Sequence, residues 1–210
     1  MEPTATSSLT IAMSTPPIEI VVPVYLHQPS LYPIVQRCFD SLRVCYPDIP
    51  ILGIDDGSPL TCPADWPIVA RNPVNLGFTA TVNRGLELTT ADTIIIANDD
   101  LTFHHGDLDR YLTLPEKTIA SPADTASSPD NRFGAIWGMR RSVYELLGGL
   151  NEELKHFFSD RDYYQRALAA GIEVIKWQDI VIDHIESATY KNIDKEALFA
   201  QDEAIFAAKK

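Results

Sequence analysis

The chain is punctuated by short, unbroken apolar runs, and several of these runs stop at a polar cluster. The first is Ile18-Glu19-Ile20-Val21-Val22-Pro23-Val24, rich in β-branched residues and lacking the alternation of a half-solvated strand. Runs of this kind suit strands covered on both faces. Ile51-Leu52-Gly53-Ile54 and Thr93-Ile94-Ile95-Ile96-Ala97 read the same way, with Ile68-Val69-Ala70 as a weaker strand between them. Helical spacing fills the gaps. Leu31, Ile34, Val35, Cys38, Phe39, Leu42 and Cys45 share one face, with Ser30 as the predicted N-cap and Pro47 and Pro50 beyond the end. A second helix is predicted from about Phe78 to Leu88. The order β-α-β-β-α-β with buried strands predicts an α/β fold, an open and mostly parallel sheet flanked by helices.

The second half is more mixed. A short helix is predicted from Asp107 to Leu114, an exposed loop from Ser121 to Asn131 and a strand from Phe133 to Met139. Helices follow over Arg141 to Leu147, ended by Gly148-Gly149, and Asp160 to Ala170, closed by Gly171. Two strands, Ile172 to Trp177 and Asp179 to His184, and an amphipathic helix from Asp194 to Ala208 complete the pattern. Residues 1–17, rich in Thr, Ser, Pro and Ala, read as a disordered tail, and residues 18–210 as a single domain.

Composition narrows the function classes. Acidic residues outnumber basic ones 29 to 17, a formal charge of −12. Such a surface disfavours nucleic acid and anionic lipid as partners. Cys38, Cys45 and Cys62 are too few and too irregular for a disulfide framework or a zinc site, and read as small packing residues. No apolar run reaches the length of a membrane span and no signal-peptide core opens the chain, so a soluble, cytoplasmic protein is expected.

Candidate chemistry sits at the strand ends, where open α/β sheets bind ligands. The first strand ends in Pro23-Val24-Tyr25, the second in Asp55-Asp56-Gly57-Ser58, the fourth in Asn98-Asp99-Asp100. Carboxylates gathered at one rim repel unless a cation joins them. Each cluster alone reads equally well as turn chemistry. Neither GxGxxG nor GxxxxGK[ST] occurs, which removes the usual dinucleotide and P-loop grips.

Taken in order, these clusters with Asn75-Leu76-Gly77-Phe78, Asn83-Arg84-Gly85, the stretch Arg140 to Glu152, Phe158-Ser159-Asp160-Arg161-Asp162-Tyr163 and Asp183-His184 resemble a family 2 glycosyltransferase of GT-A fold, in flavour the rhamnosyltransferase-like branch. The resemblance spans about residues 18–190 and implies an inverting, metal-dependent transfer of a sugar from a nucleotide-diphosphate sugar to a glycan hydroxyl. UDP-sugar is the favoured donor, dTDP-sugar the alternative. It implies donor-binding roles for Pro23, Tyr25, Asp55, Asp56, Asn75, Gly77, Arg84, Asn98, Asp99 and Trp137. Asp55 and Asp56 would hold base and ribose, Asn98-Asp99-Asp100 would be the DxD motif, and Asp100 with His184 would hold Mn2+, with Mg2+ as the alternative. Asp99 replaces a neighbour if the register differs by one. Asp160 is the implied general base and Asp162 the runner-up; a plain N-cap is the bland reading of Asp160. Compact domains of this type also open longer multidomain glycosyltransferases, so one domain of a longer chain is compatible. A sugar-phosphate nucleotidyltransferase and a non-catalytic nucleotide-sugar binding module remain as other readings.

Overall fold

The computed structural model describes residues 17–122, 133–180, 182–185 and 194–208. The expected tail, apart from Pro17, and residues 123–131 of the expected loop lie outside them. Among the described residues the order is β1 (Ile18–Val24), α1 (Tyr32–Cys45), β2 (Ile51–Asp55), β3 (Ile68–Arg71), α2 (Phe78–Leu88), β4 (Thr93–Ala97), β5 (Leu101–Thr102), β6 (Thr118–Pro122), β7 (Ile136–Arg140), α3 (Arg141–Leu147), α4 (Ser159–Ala169), β8 (Glu173–Trp177), β9 (Asp183–His184) and α5 (Lys195–Ala207). A seven-stranded sheet runs β3-β2-β1-β4-β7-β6-β8, and β5 pairs with β9 in a separate two-stranded ladder. β1 lies parallel between β2 and β4, and only β7 opposes its two neighbours. The mostly parallel open sheet flanked by helices is the expected one.

Two apolar layers explain the unbroken runs. Ile18, Ile20, Val22 and Val24 of β1 pack with Val35, Cys38, Phe39 and Leu42 of α1 on one side of the sheet. Val21 joins Ile54, Ile94, Ile96, and Val82 and Leu86 of α2 on the other. Each strand side chain therefore meets a helix whichever way it points. Burial of each such side chain contributes about 1.5–3 kcal/mol. Cys38 is fully buried here, and burial pushes its thiol pKa up, as a packing residue requires.

Gly85 sets how closely α2 approaches the sheet. A Cβ there would lie 2.2 Å from Val21 Cγ1.

Several expectations are corrected. Ser30 does not cap α1: a 3-10 turn over Pro29–Leu31 leads in, and Leu31 holds the cap position without a side-chain bond. Asp107 to Leu114 contains only the 3-10 turn Asp109–Thr113. Ser121 and Pro122 belong to β6, a buried strand whose Ala, Ser and Pro hid it; its burial comes from lying between β7 and β8. The strand expected over Asp179 to His184 shrinks to Asp183–His184. Asp160 is not an N-cap; Phe158 holds that position and Asp160 lies in the first turn of α4. Among the described residues, no helix is long and apolar enough to cross a membrane.

Gly85→Ala is expected to destabilise the domain by about 1–3 kcal/mol through overpacking, read as a lower urea midpoint at unchanged m-value.

Candidate active site

β1, β2 and β4 bring their carboxyl ends to one edge of the sheet. A cavity of about 390 Å³ opens there. Pro23, Val24 and Tyr25 line it from β1, Asp56 from beyond β2, and Asn98, Asp99 and Asp100 from beyond β4. The entry to α2 adds Asn75, Gly77, Phe78 and Thr81. His184 closes one side, and His156 and Leu198, neither expected from the sequence, complete the wall.

The β5–β9 ladder places His184. Leu101 pairs with His184 and Thr102 with Asp183, and the Ile185 N–H donates to the Asp100 carbonyl at 3.1 Å. His184 Nε2 is thereby held 3.1 Å from Asp100 Oδ1, with side-chain exposures of 19% and 6%. Asp100 Oδ1 is buried and accepts no hydrogen bond, because that contact lacks the alignment of one. A bare carboxylate oxygen beside an imidazole nitrogen is a donor set for a divalent cation that draws its other ligands from a bound anion. Among the described residues, no group of three or more His, Cys, Asp or Glu could hold a metal by itself. Asp100 and His184 thus offer two ligands of suitable chemistry and do not form a closed protein site.

The other carboxylates have different tasks. Asp56 accepts from Asn72 Nδ2 at 2.9 Å, the Leu76 N–H at 2.8 Å and the Gly77 N–H at 3.0 Å. It ties the loop before α2 to the end of β2 while lining the cavity. Gly77 has φ +94, and a Cβ there would lie 2.9 Å from the Lys155 carbonyl. Asp99 is buried, and burial, then the charge of Asp100, holds its pKa well above the usual range. His156 is pushed below the ordinary histidine value, mainly by burial.

Five expected site residues do not line the cavity. Asp55, 1% exposed, accepts the Ser58 N–H at 2.8 Å and pairs with Arg71, so it braces the turn after β2. Arg84 donates to the Arg71 carbonyl at 2.6 Å and to Asn72 Oδ1 at 2.7 Å. Trp137 is a core residue: it pairs with Ile96 across the sheet, stacks on Phe133 at 4.7 Å and is 2% exposed. Asp162 pairs with Arg166 at 2.9 Å, and that guanidinium also donates to the carbonyls of Leu147 and Gly149. Asp160 accepts the Arg161 N–H at 2.8 Å and follows the wall residue His156 through one turn of chain.

Known proteins share parts of this sequence and this fold. Residues 19–118 match the sequence model of Glycosyl transferase family 2. A mannosyltransferase from Pyrobaculum calidifontis, solved with GDP-Man and Mn2+, superposes with TM-score 0.67 at 15% identity, over 85% of this chain and 59% of that one. This is a GT-A fold. The catalytic domain of Drosophila β1,4-galactosyltransferase 7, solved with xylobiose, gives TM-score 0.58 at 16% identity, over 89% of this chain and 77% of the other. GalNAc-T7, solved with UDP, GalNAc and Mn2+, gives 0.63 at 11%, over 79% and 43%. The GT-A domain thus spans less than two thirds of the mannosyltransferase and of GalNAc-T7. No curated protein matches the chain in sequence. The family match covers under half of the chain, and the solved neighbours share its GT-A fold.

Asp56→Ala strands the donors of Asn72, Leu76 and Gly77. It is expected to cost about 1–3 kcal/mol per buried donor left unpaired, measured by urea unfolding.

Proposed function

We propose that this domain transfers a sugar from a nucleotide-diphosphate sugar to a hydroxyl of a glycan acceptor, inverting the anomeric centre. The observation that carries the reading is the unbonded Asp100 Oδ1 beside His184 in a cavity at the ends of β1, β2 and β4. Solved neighbours of the same fold hold GDP-Man or UDP together with Mn2+. UDP-sugar is the favoured donor and dTDP-sugar the alternative.

Asp100 and His184 would hold the divalent cation, Mn2+ or Mg2+, whose contribution when bound is to offset charge on the leaving diphosphate. Pro23, Tyr25, Asp56, Asn75, Gly77, Asn98 and Asp99 surround the donor as cavity walls. Gly77, Phe78 and Thr81 at the start of α2 form part of the same wall. Asp160 takes the proton of the acceptor hydroxyl as that oxygen bonds to the anomeric carbon. The bond from that carbon to the diphosphate oxygen breaks in the same displacement, and the nucleoside diphosphate leaves. No covalent sugar–enzyme intermediate forms. Asp160 is favoured over Asp162 as base because Asp162 is already paired with Arg166, whose guanidinium holds α4 to the Leu147 and Gly149 carbonyls.

Asp100→Ala is expected to lower Mn2+-dependent transfer by about a hundred-fold or more, assayed as acceptor-dependent release of nucleoside diphosphate with and without chelator. Asp160→Asn is expected to lower kcat by about 10²–10⁴-fold with little change in donor KM. Wild-type transfer by Asp160→Asn would remove the base assignment. Diphosphate release from a nucleoside triphosphate and a sugar phosphate would instead indicate a nucleotidyltransferase.

A further inference from the structure

The wall formed by His156 depends on a helix far along the chain. Asp202 of α5 is 1% exposed. Its Oδ2 alone accepts two consecutive backbone donors, the His156 N–H at 2.7 Å and the Phe157 N–H at 2.8 Å. The next residue, Phe158, adopts φ 64 and ψ −6, the left-handed region that side chains with a Cβ disfavour. α5 supplies what holds it there. The Phe158 ring lies 4.9 Å from that of Phe199 and stacks on Phe206 at 5.3 Å, and Phe157 lies 5.4 Å from Phe199. The Arg161 guanidinium sits over Phe206, 5.3 Å from its centroid.

The consequences reach both ends of the segment. Behind Phe158, the Lys155 carbonyl accepts the Thr79 N–H at 3.1 Å, which joins the segment to the start of α2. His156 Cε1 packs beside Gly77, where a Cβ would meet it at an ordinary contact distance of 3.5 Å. Ahead of it, α4 begins at Ser159 and Asp160 enters its first turn. Leu198, one turn before Asp202 on α5, lines the same cavity. Enclosing a carboxylate is costly unless it is hydrogen-bonded, and here the bonds fix a backbone conformation that the local sequence does not favour.

We propose that Asp202 is a positioning residue of the transferase site, acting through the 156–158 turn to set His156 against the donor diphosphate cavity and to aim the first turn of α4. The inference rests on the donor-cavity reading above. It makes α5 part of the active site and not an appendage.

The test compares wild type, Asp202→Asn, Asp202→Ala, His156→Ala and the Asp202→Ala/His156→Ala double variant. UDP affinity is measured by calorimetry with Mn2+, and amide hydrogen exchange is measured across the chain. Asp202→Ala is expected to weaken UDP binding about ten-fold or more. Asp202→Asn, whose amide oxygen accepts the same two N–H groups, recovers most of the loss. The double variant is no weaker than the weaker single variant, because both act through one wall. Exchange in Asp202→Ala quickens over residues 155–162 and 77–79 while β1 and β4 stay protected, showing an intact fold. UDP binding by Asp202→Ala at wild-type strength, additive losses in the double variant, or no recovery in Asp202→Asn would overturn the proposal. Wild type that binds none of UDP, GDP and dTDP would defeat the donor reading instead. Exchange then decides the positioning role alone: quickening confined to α5 rejects it, and spread to 155–162 and 77–79 sustains it.

Discussion

The site depends on a ladder of four residues. β5 and β9 contribute two residues each, and their pairing brings His184 to 3.1 Å from Asp100. So short a ladder has little stability of its own. It persists because Leu101 is buried in the core and because β4, fixed between β1 and β7, delivers the chain to it. The rigid sheet determines where Asp100 stands, and the ladder then determines what stands beside it. Without that pairing the strand ends would form an acidic rim, and nothing would single out one carboxylate as a ligand.

Hydrogen bonding separates the acids of that rim. Asp55 is satisfied by Ser58 and Arg71, and Asp56 by one side-chain amide and two backbone N–H groups. These carboxylates tie the sheet edge together. Among the described residues, Asp100 Oδ1 is the buried acidic oxygen left without a donor. Polar atoms buried in that condition are uncommon in folded proteins and call for an explanation. A cation shared with a diphosphate supplies one that also suits a chain of formal charge −12.

The first half of the fold was legible because β1, β2 and β4 are covered on both faces, which favours apolar residues along most of each strand. α2 kept its expected bounds for a related reason: its apolar spacing coincides with a single packed face. β6 was hidden, since Thr118-Ile119-Ala120-Ser121-Pro122 is buried by its place between two strands and not by its own character. At the site, Pro23, Tyr25, Asp56, Asn98, Asp99, Asp100 and His184, all singled out by the sequence motifs, line one cavity. They could not distinguish Asp55 from Asp56, because adjacent residues of one type differ only in which way the strand turns them. Trp137 carries no mark that separates a sugar platform from a core ring. His156 and Leu198 were missed because they belong to no strand-end motif, and Leu198 reaches the cavity only through the packing of α5.

The central claim is that Asp100 and His184 share one cation with a nucleotide diphosphate. Pulsed electron paramagnetic resonance on Mn2+ bound together with UDP tests it directly. A histidine nitrogen coupling is expected in the wild-type domain, alongside phosphorus couplings from the diphosphate, and the nitrogen signal should vanish in His184→Ala. A nitrogen coupling that survives that substitution, or phosphorus couplings without any nitrogen in the wild type, would contradict the shared site.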